Sequence, residues 1–222
     1  MVAAEAQVQT QTGIAEVDSS IMLSADSLFC ERDDRVLFEN LNFELRQGQV
    51  LQIKGSNGSG KTTLLRNLCG LNAGYEGEVC WYGKSIGECQ EEFFSSLVYI
   101  GHRVGVNKVL TPLENLRWSC SLQQVVSDAE LLDALAKVGL RGFEESQCFT
   151  LSAGQQQRVS LSKLFLSQAK LWVLDEPFTT LDVAGVKQLE ALLKAHADNG
   201  GGVLVTTHHN LTVSDLQVLE LG

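Results

Sequence analysis

The sequence predicts an α/β fold in which a mostly parallel sheet is covered by helices on both faces. In the last third of the chain, short apolar segments of strand length alternate with segments of helical period. Near residue 55, a glycine-rich loop separates an apolar strand from a helix. Parallel strands need long crossover connections, usually helices, so this alternation indicates a parallel sheet. The chain has 222 residues, which suits one large domain or one domain with an insertion.

The amino-acid composition argues against several classes of function for this chain. The formal charge is −10, and nucleic-acid binders usually carry a basic face, so we expect no nucleic-acid partner. No apolar stretch approaches the ~18 residues of a membrane helix, so we expect no membrane span in this chain. Residues 1–31 contain no Lys or Arg, which argues against a secretory signal or a mitochondrial presequence. The six cysteines show no C-x-x-C spacing and are expected to be reduced thiols of a cytoplasmic protein.

The chain begins with a segment of different character. Residues 1–21 are rich in Ala, Gln, Ser and Thr without periodicity, and we expect them to form a flexible tail. Residues 22–222 are expected to form the folded domain. The first apolar segments have the length and alternation of strands, and they are Ile21–Cys30, Leu41–Leu45 and Val50–Ile53.

The middle of the chain predicts a helical subdomain, at about 86–150, between two strand-rich halves. Ser127 and Glu130 have the spacing of a capping box before an apolar helical period, and Leu113–Leu122 also predicts a helix. Further strands are predicted at Glu78–Tyr82 and Ser96–Ile100. In the last third, helices are predicted at about 154–168 and 183–198, and strands at 171–174, 203–206 and 218–221.

The strongest chemical signal is the segment from Gly55 to Thr62, which fits the pattern G-x-x-x-x-G-K-[ST]. It follows a predicted strand and opens a predicted helix, which is the context that a phosphate-binding loop requires. Glycines let backbone N–H groups curl around phosphate oxygens, and the helix N-terminus adds positive charge there. Lys61 is expected to reach the β- and γ-phosphates of ATP, and Thr62 to offer its hydroxyl to Mg²⁺. The nucleotide-binding residues expected here are Gly55, Ser56, Asn57, Gly58, Ser59, Gly60, Lys61, Thr62 and Thr63.

A second signal is the apolar strand Leu171–Leu174, which Asp175 and Glu176 follow. A carboxylate at the carboxyl end of a buried strand beside a phosphate loop is suited to hold Mg²⁺, directly or through water. We therefore assign Asp175, together with Thr62, to the metal. Glu176 is expected to polarise the attacking water as the catalytic base.

A third segment resembles the signature of the ATP-binding subunits of the ABC transporter family, usually written L-S-G-G-Q-x-x-R. It reads Leu151-Ser152-Ala153-Gly154-Gln155-Gln156-Gln157-Arg158, with Ala153 in place of one glycine. The resemblance implies a phosphate-loop ABC ATPase domain with a mixed core sheet, an antiparallel β element near the N-terminus and a helical insertion. It also implies that Ser152, Gly154 and Gln155 bind the γ-phosphate held by a second copy of the chain, so that two copies sandwich ATP.

Later positions extend the resemblance. Asp182, in the segment Thr180-Leu181-Asp182, matches the family's D-loop and is implied to lie at the dimer interface. His208 follows an apolar strand and is implied to be the switch histidine that contacts the γ-phosphate and holds Glu176, with the adjacent His209 as the alternative. His196 matches no family position and is expected on a helix surface.

Two positions depart from the family pattern. The glutamine that touches Mg²⁺ and the attacking water in the family is replaced here by His102. Mg²⁺ prefers oxygen ligands, so His102 is expected to act through water, and a plain loop residue is the alternative. No aromatic residue stands at Glu31–Asp33, where the family stacks adenine. Arg32 is therefore expected to take that role, because a guanidinium plane can stack on a base.

The segments 30–35, 55–58, 101–102 and 110–116 together resemble the haem-exporter ATP-binding subunits of the bacterial cytochrome c maturation system. The resemblance implies an ATPase that energises a CcmB-like membrane subunit in haem export and c-type cytochrome biogenesis, with other maturation subunits as further candidate partners. It implies a location at the cytoplasmic face of the bacterial inner membrane, with the segment after His102 contacting the partner. No residue of this chain is assigned as a haem ligand.

Two other functions remain open from the sequence alone. The first is the ATPase subunit of an unrelated ABC exporter. The second is a soluble ABC ATPase that acts on nucleic acid or ribosomes. Such proteins carry long coiled coils or two ATPase halves in one chain, and this acidic sequence has neither, so the second function is disfavoured.

Overall fold

Two sheets and a helical unit make up the protein in a computed structural model, which describes residues 18–121, 125–213 and 215–221. The N-terminal sheet is antiparallel, in the order β2-β1-β4-β5, and its strands are β1 (Ile21–Arg32), β2 (Arg35–Arg46), β4 (Glu76–Trp81) and β5 (Lys84–Ser85). The core sheet has the order β6-β7-β8-β3-β9, and its strands are β3 (Val50–Gly55), β6 (Leu97–Ile100), β7 (Leu171–Asp175), β8 (Gly202–Thr206) and β9 (Leu216–Leu221).

Every strand pair of the core sheet among these residues is parallel. The expected α/β fold with an antiparallel N-terminal element is confirmed. The expected mixed sheet divides instead into a parallel core sheet and a separate antiparallel sheet. Helices cross over between the parallel strands, and the described helices are α1 (Lys61–Leu68), α2 (Gln90–Ser95), α3 (Pro112–Ser121), α4 (Asp128–Lys137), α5 (Ala153–Ser162) and α6 (Val183–Asp198).

Strand β3 is buried on both faces, which explains why its first four residues are apolar except for Gln52. Leu51 and Ile53 pack into a hydrophobic cluster with α1 and the antiparallel sheet, whereas Val50 packs into a second cluster with β7 and α6. Parallel strands covered on both faces have this composition. Because β3, β7 and β8 are neighbours in one parallel sheet, their carboxyl ends meet at one edge, at Gly55, Asp175 and Thr206.

The helical unit has a hydrophobic cluster of its own, built from α3, α4 and the start of α5. The capping box predicted at the start of α4 is present, with the Ser127 side chain and the Glu130 backbone N–H paired and the reverse contact also formed. The expected start of this unit at residue 86 is too early, because β6 lies in the core sheet beside β7. That strand was itself predicted from the sequence, and it separates α2 from the helical unit.

At the N-terminus, residues 1–17 of the expected tail lie outside the described residues. The described part, residues 18–21, is held against the domain: Asp18 pairs with Arg46, and Ile21 is the first residue of β1. No helix among the described residues is long and apolar enough to cross a bilayer.

His196 lies on helix α6 as expected, but its side chain is partly buried. Its ring stacks on the indole of Trp172 with 3.7 Å between centroids, and its Nε2 hydrogen-bonds the carbonyl of Lys170 at 3.2 Å. Burial lowers the pKa of His196, so the neutral imidazole is the form that the fold favours. Helical period alone did not predict this, because the stacking partner lies on a strand distant in sequence.

Candidate nucleotide site

A cleft of about 370 Å³ opens at the carboxyl edge of the core sheet. This is where ligands bind in open α/β sheets, because the loops that follow the strands converge there. The cleft brings together residues that the sequence analysis assigned separately to phosphate binding, to metal binding, to the catalytic base and to the ordering of water. Its lining includes Arg32, Asn57, Gly58, Gly60, Lys61, Thr62, Thr63, His102, Asp175 and Glu176, with Leu37 as its apolar member.

The loop between β3 and α1 has a backbone that glycine alone accommodates at two points. Gly55 has φ +154°, and a Cβ there would lie 2.5 Å from the carbonyl oxygen of Leu221. Gly60 has φ +98° and caps α1, and a Cβ there would lie 3.1 Å from Leu37. The loop therefore packs tightly underneath and leaves the cleft side to backbone groups, as a phosphate cradle requires.

Lys61 and Ser59 both have polar atoms directed within this loop. The Lys61 ammonium donates to the carbonyls of Gly55 at 2.7 Å and Ser56 at 3.0 Å, so the side chain folds back across the loop. The Ser59 hydroxyl is buried, and it has no hydrogen-bond partner among the described residues. A Cβ on Gly55 would lie 2.5 Å from this hydroxyl, and Ser59 is not among the residues that line the cleft, so its side chain packs beneath the loop.

The two residues assigned to the metal are in contact. The hydroxyl of Thr62 donates to one carboxylate oxygen of Asp175 at 2.8 Å, and the hydroxyl of Thr206 donates to the other at 2.7 Å. Asp175 is 2% exposed, so both of its oxygens are held away from bulk water. A hydroxyl and a carboxylate at this distance offer the hard oxygen donors that Mg²⁺ prefers.

Glu176 has an unusual backbone conformation at the end of β7. Its φ is +53°, which is rare for a residue with a side chain and is a form of strain that often accompanies function. Its N–H donates to the carbonyl and the hydroxyl of Thr206, both at 3.0 Å, and these contacts hold the conformation. The side chain is 17% exposed, and its carboxylate lies 3.6 Å from Nε2 of His208.

The neighbouring histidines point to different partners. His208 faces Glu176, whereas His209 approaches the carboxylate of Glu190 on α6 at 3.3 Å and packs against the ring of Phe178. The geometry therefore favours His208 over His209 for the switch position.

His102 and Arg32 both line the cleft. Both side chains are exposed, and Arg32 makes a 3.7 Å ion pair with the exposed Asp33. Behind His102, a Cβ on Gly101 would lie 3.0 Å from the hydroxyl of Tyr99. Burial, and then the charge of Asp175, raise the pKa of Tyr99 to about 12, so that phenol stays neutral beside the site.

The segment resembling the signature begins α5, away from this cleft. Ser152 caps the helix: its hydroxyl accepts from the N–H of Gln155 at 3.2 Å, and the Gln155 side chain accepts from the N–H of Ser152 at 2.9 Å. A Cβ on Gly154 would lie 2.7 Å from the carbonyl oxygen of Thr180, so this position requires glycine. Ser152, Gly154 and Gln155 are not among the described residues that line the cleft.

Asp182 caps α6 and binds the guanidinium of Arg158. Its carboxylate accepts from the N–H of Gly185 at 2.8 Å and from Arg158 at 2.7 Å. The Gly185 N–H, and then Arg158, lower the pKa of Asp182. This pairing joins the signature helix to the D-loop segment within one chain, because Arg158 lies on α5 and Asp182 begins α6.

Comparison with known proteins agrees with this geometry. Residues 38–179 match the family model described as ABC transporter, which spans more than half of the chain. The chain belongs to the ABC transporter family. It is an ABC-type ATPase, and the bounds of the match include the phosphate loop, the signature and Glu176.

Two curated relatives are similar over almost their whole length. A protein of Hahella chejuensis is 51% identical over 90% of this chain and 96% of its own, and one of Pseudomonas putida is 53% identical over 91% and 98%. Both carry the name cytochrome c biogenesis ATP-binding export protein CcmA. A solved ATP-binding cassette dimer, bound to ADP and Pi, shares the fold with a TM-score of 0.78 at 22% identity, over 90% of this chain and 96% of that one.

Thr206 is the site residue that the sequence analysis of this ABC ATPase missed. Its hydroxyl orients Asp175, and the same hydroxyl and its carbonyl hold the N–H of Glu176. A signal was available, because Thr206 is the polar residue that ends an apolar strand of the same parallel sheet. Its pairing with Asp175 required the strand order, which local periodicity does not reveal.

The position of His102 leads to a prediction about the dependence of the ATPase on Mg²⁺. The variant His102→Gln places an amide oxygen in the cleft where the imidazole stands, and Mg²⁺ prefers oxygen ligands. We therefore expect His102→Gln to change the Mg²⁺ concentration that gives half-maximal ATPase activity and to keep its affinity for ATP. The measurement is ATPase rate against Mg²⁺ concentration for both forms, and superimposable curves would leave His102 as a plain loop residue.

Proposed function

We propose that this chain is the ATP-hydrolysing subunit of an exporter that serves c-type cytochrome biogenesis, with haem export as its task. One observation carries the proposal. Over nine-tenths of the chain, about half of all residues are identical to those of proteins named cytochrome c biogenesis ATP-binding export protein CcmA. Similarity to full-length relatives at this level argues for a shared role rather than a shared fold alone.

The cleft fits Mg·ATP. The loop that packs too tightly for a Cβ at Gly55 and the paired oxygens of Thr62 and Asp175 suit a triphosphate with a hard divalent cation. Lys61 is already beside the loop carbonyls and needs only to turn toward the phosphates. Arg32, an exposed residue of the cleft lining, would stack on the adenine.

Hydrolysis would depend on Glu176 and His208. The Glu176 carboxylate accepts the proton of the attacking water, while the loop N–H groups and Lys61 neutralise charge that develops on the leaving phosphates. His208 restrains Glu176 and contacts the terminal phosphate. His102 orders the water at the metal end of the site. Thr206 binds the Asp175 carboxylate and the Glu176 N–H, so it would hold the metal ligand and the base in a fixed relative position.

Two copies of the chain would complete the site. Ser152, Gly154 and Gln155 lie at an exposed helix N-terminus that their own cleft does not use, and a helix N-terminus favours an anion. A head-to-tail arrangement brings this terminus of one copy to the terminal phosphate of the other. Asp182, held by Arg158, would then lie at the contact between the copies.

The membrane partner would be a CcmB-like subunit, which would hold the chain at the cytoplasmic face of the inner membrane. Closing and reopening of the ATP sandwich would move this partner, through the segment that follows His102. The exposed large apolar residues of the helical region include Val109, Trp118 and Phe149, and they support a protein contact on this part of the surface.

The test is complementation in cells that lack the gene for this chain but keep the CcmB-like subunit. The wild-type chain should restore covalently bound haem in c-type cytochromes, measured by peroxidase staining of gels, and should co-purify with the tagged membrane subunit. An ATP-binding subunit of an unrelated exporter serves as the control and should do neither. Restored ATPase activity without restored cytochromes would contradict the proposed role and leave only the ATPase.

A further inference from the structure

The segment from Thr207 to Thr212 carries His208, and something other than the histidine ring must hold it in place. The His208 side chain is 65% exposed, and its 3.6 Å approach to Glu176 is longer than a hydrogen bond. An exposed ring on a loop has many rotamers and backbone positions available. The orientation of His208 toward Glu176 therefore depends on contacts made by the residues around it.

Gln52, on strand β3, binds this segment. Its side chain extends from the middle of β3, is fully buried, and donates its amide to the carbonyl of Thr207 at 3.0 Å and to that of His209 at 3.1 Å. Both partners are acceptors, so the NH₂ end of the amide must face them. One buried side chain thus binds the backbone on both sides of His208.

The opposite end of the Gln52 amide shows that this position is not chosen for packing alone. Its Oε1 is buried without a hydrogen-bond partner among the described residues, and a buried unpaired acceptor costs stability. Its neighbours in the strand, Leu51 and Ile53, are apolar. A buried polar side chain with hydrogen bonds to its amide nitrogen but none to its amide oxygen is typical of a position that serves the bonds it does make.

Glu190, on helix α6, binds the same segment. Its Oε1, on the inner side of α6, accepts from the His209 ring at 3.3 Å, from the N–H of Thr212 at 3.2 Å and from the Thr212 hydroxyl at 3.3 Å. Its side chain is 16% exposed, so these contacts are partly shielded from water. The Thr207 hydroxyl adds an internal bond by accepting from the N–H of His209 at 3.0 Å.

We propose that Gln52 and Glu190 are positioning residues that clamp the backbone around His208 and so set the distance between its ring and Glu176. The proposal rests on the proposed role of His208 in hydrolysis. Because Gln52 lies three residues before Gly55, the clamp joins the histidine segment directly to the strand that carries the phosphate loop. The phosphate cradle and the histidine consequently move as one unit.

The test measures ATPase kinetics of the full-length chain with Mg·ATP in the variant Gln52→Met. Methionine keeps the length and volume of glutamine but removes both donors. We expect kcat to fall about 10- to 100-fold, because a misplacement of about 1 Å in an active site has effects of this order, while the KM for ATP stays within about twofold. The matched control is Leu51→Met, the adjacent residue of β3, whose side chain packs on the other face of the sheet.

A double variant separates positioning from general damage. If Gln52 acts through His208, then adding Gln52→Met to His208→Ala should lower kcat by less than twofold further, whereas a structural defect would multiply the two losses. Glu190→Leu, at a half-buried helix position, provides the same comparison should Gln52→Met fail to fold. Equal losses in the presence and absence of His208, or an unchanged kcat in the single variants, would overturn the clamp. An unchanged rate in His208→Ala itself would instead refute the role of His208 in the proposed function.

Discussion

Replacing Lys61 with alanine should abolish ATP hydrolysis and weaken ATP binding. The Lys61 ammonium lies 2.7 Å from the carbonyl of Gly55, inside the loop that would cradle the phosphates. Its positive charge is needed most when negative charge accumulates on the transferring phosphoryl group, and charge stabilisation in a shielded site is worth far more than in water. We expect hydrolysis to fall by at least about 10²-fold, measured as phosphate release at saturating Mg·ATP.

A matched control for this prediction is Lys187→Ala, which removes an exposed lysine from α6. That variant should hydrolyse ATP at the wild-type rate, because its charge lies on a solvated helix surface. Thermal unfolding of both variants verifies that the fold is retained. Normal turnover by Lys61→Ala would refute the assignment of the phosphate loop.

Replacing Glu176 with glutamine should separate ATP binding from hydrolysis. Glutamine has the same shape as glutamate. The backbone N–H at this position can still donate to Thr206, so the strained backbone at φ +53° should persist. It cannot accept the proton of the attacking water, and loss of a general base typically lowers the rate by about 10²- to 10⁴-fold. The variant should bind ATP and remain in the closed dimer, which gel filtration with Mg·ATP measures as a doubled mass.

The comparison for Glu176→Gln is Glu145→Gln, the same change at an exposed position of the helical unit. It should turn over normally and should not accumulate as a dimer. If Glu176→Gln elutes as a monomer with ATP and still hydrolyses it, then Glu176 is not the base and another group activates the water.

Structural features formed by residues close together in the sequence could be predicted from that sequence. The capping box of Ser127 and Glu130 and the boundaries of α6 follow from local spacing, and the structure contains both. The phosphate loop is a strand, a turn and a helix start in sequence order, so its residue types alone predict its shape. The sequence also predicted that Asp175 ends a buried strand.

Contacts between distant strands could not be predicted in this way. The choice between His208 and His209 depends on which carboxylate each ring faces, and Glu176 and Glu190 stand on different elements. The local pattern predicted only that His196 lies on a helix surface. It could not predict the stacking on the Trp172 ring, because Trp172 belongs to β7. The division of the β structure into a parallel and an antiparallel sheet likewise depends on pairing partners, which a single sequence does not specify.

The sequence by itself determined the α/β class and the ATP-binding family and predicted the residues of the phosphate loop, because each of these follows from patterns along the chain. The tertiary structure alone decided the contacts of Thr206, Gln52 and Glu190. The bond from Gln52 to Thr207 spans 155 positions, and that from Thr206 to Asp175 spans 31. Such contacts exist only after the order β7-β8-β3 has brought three strand ends to one edge, since side chains that share no local period meet only through the packing of the sheet.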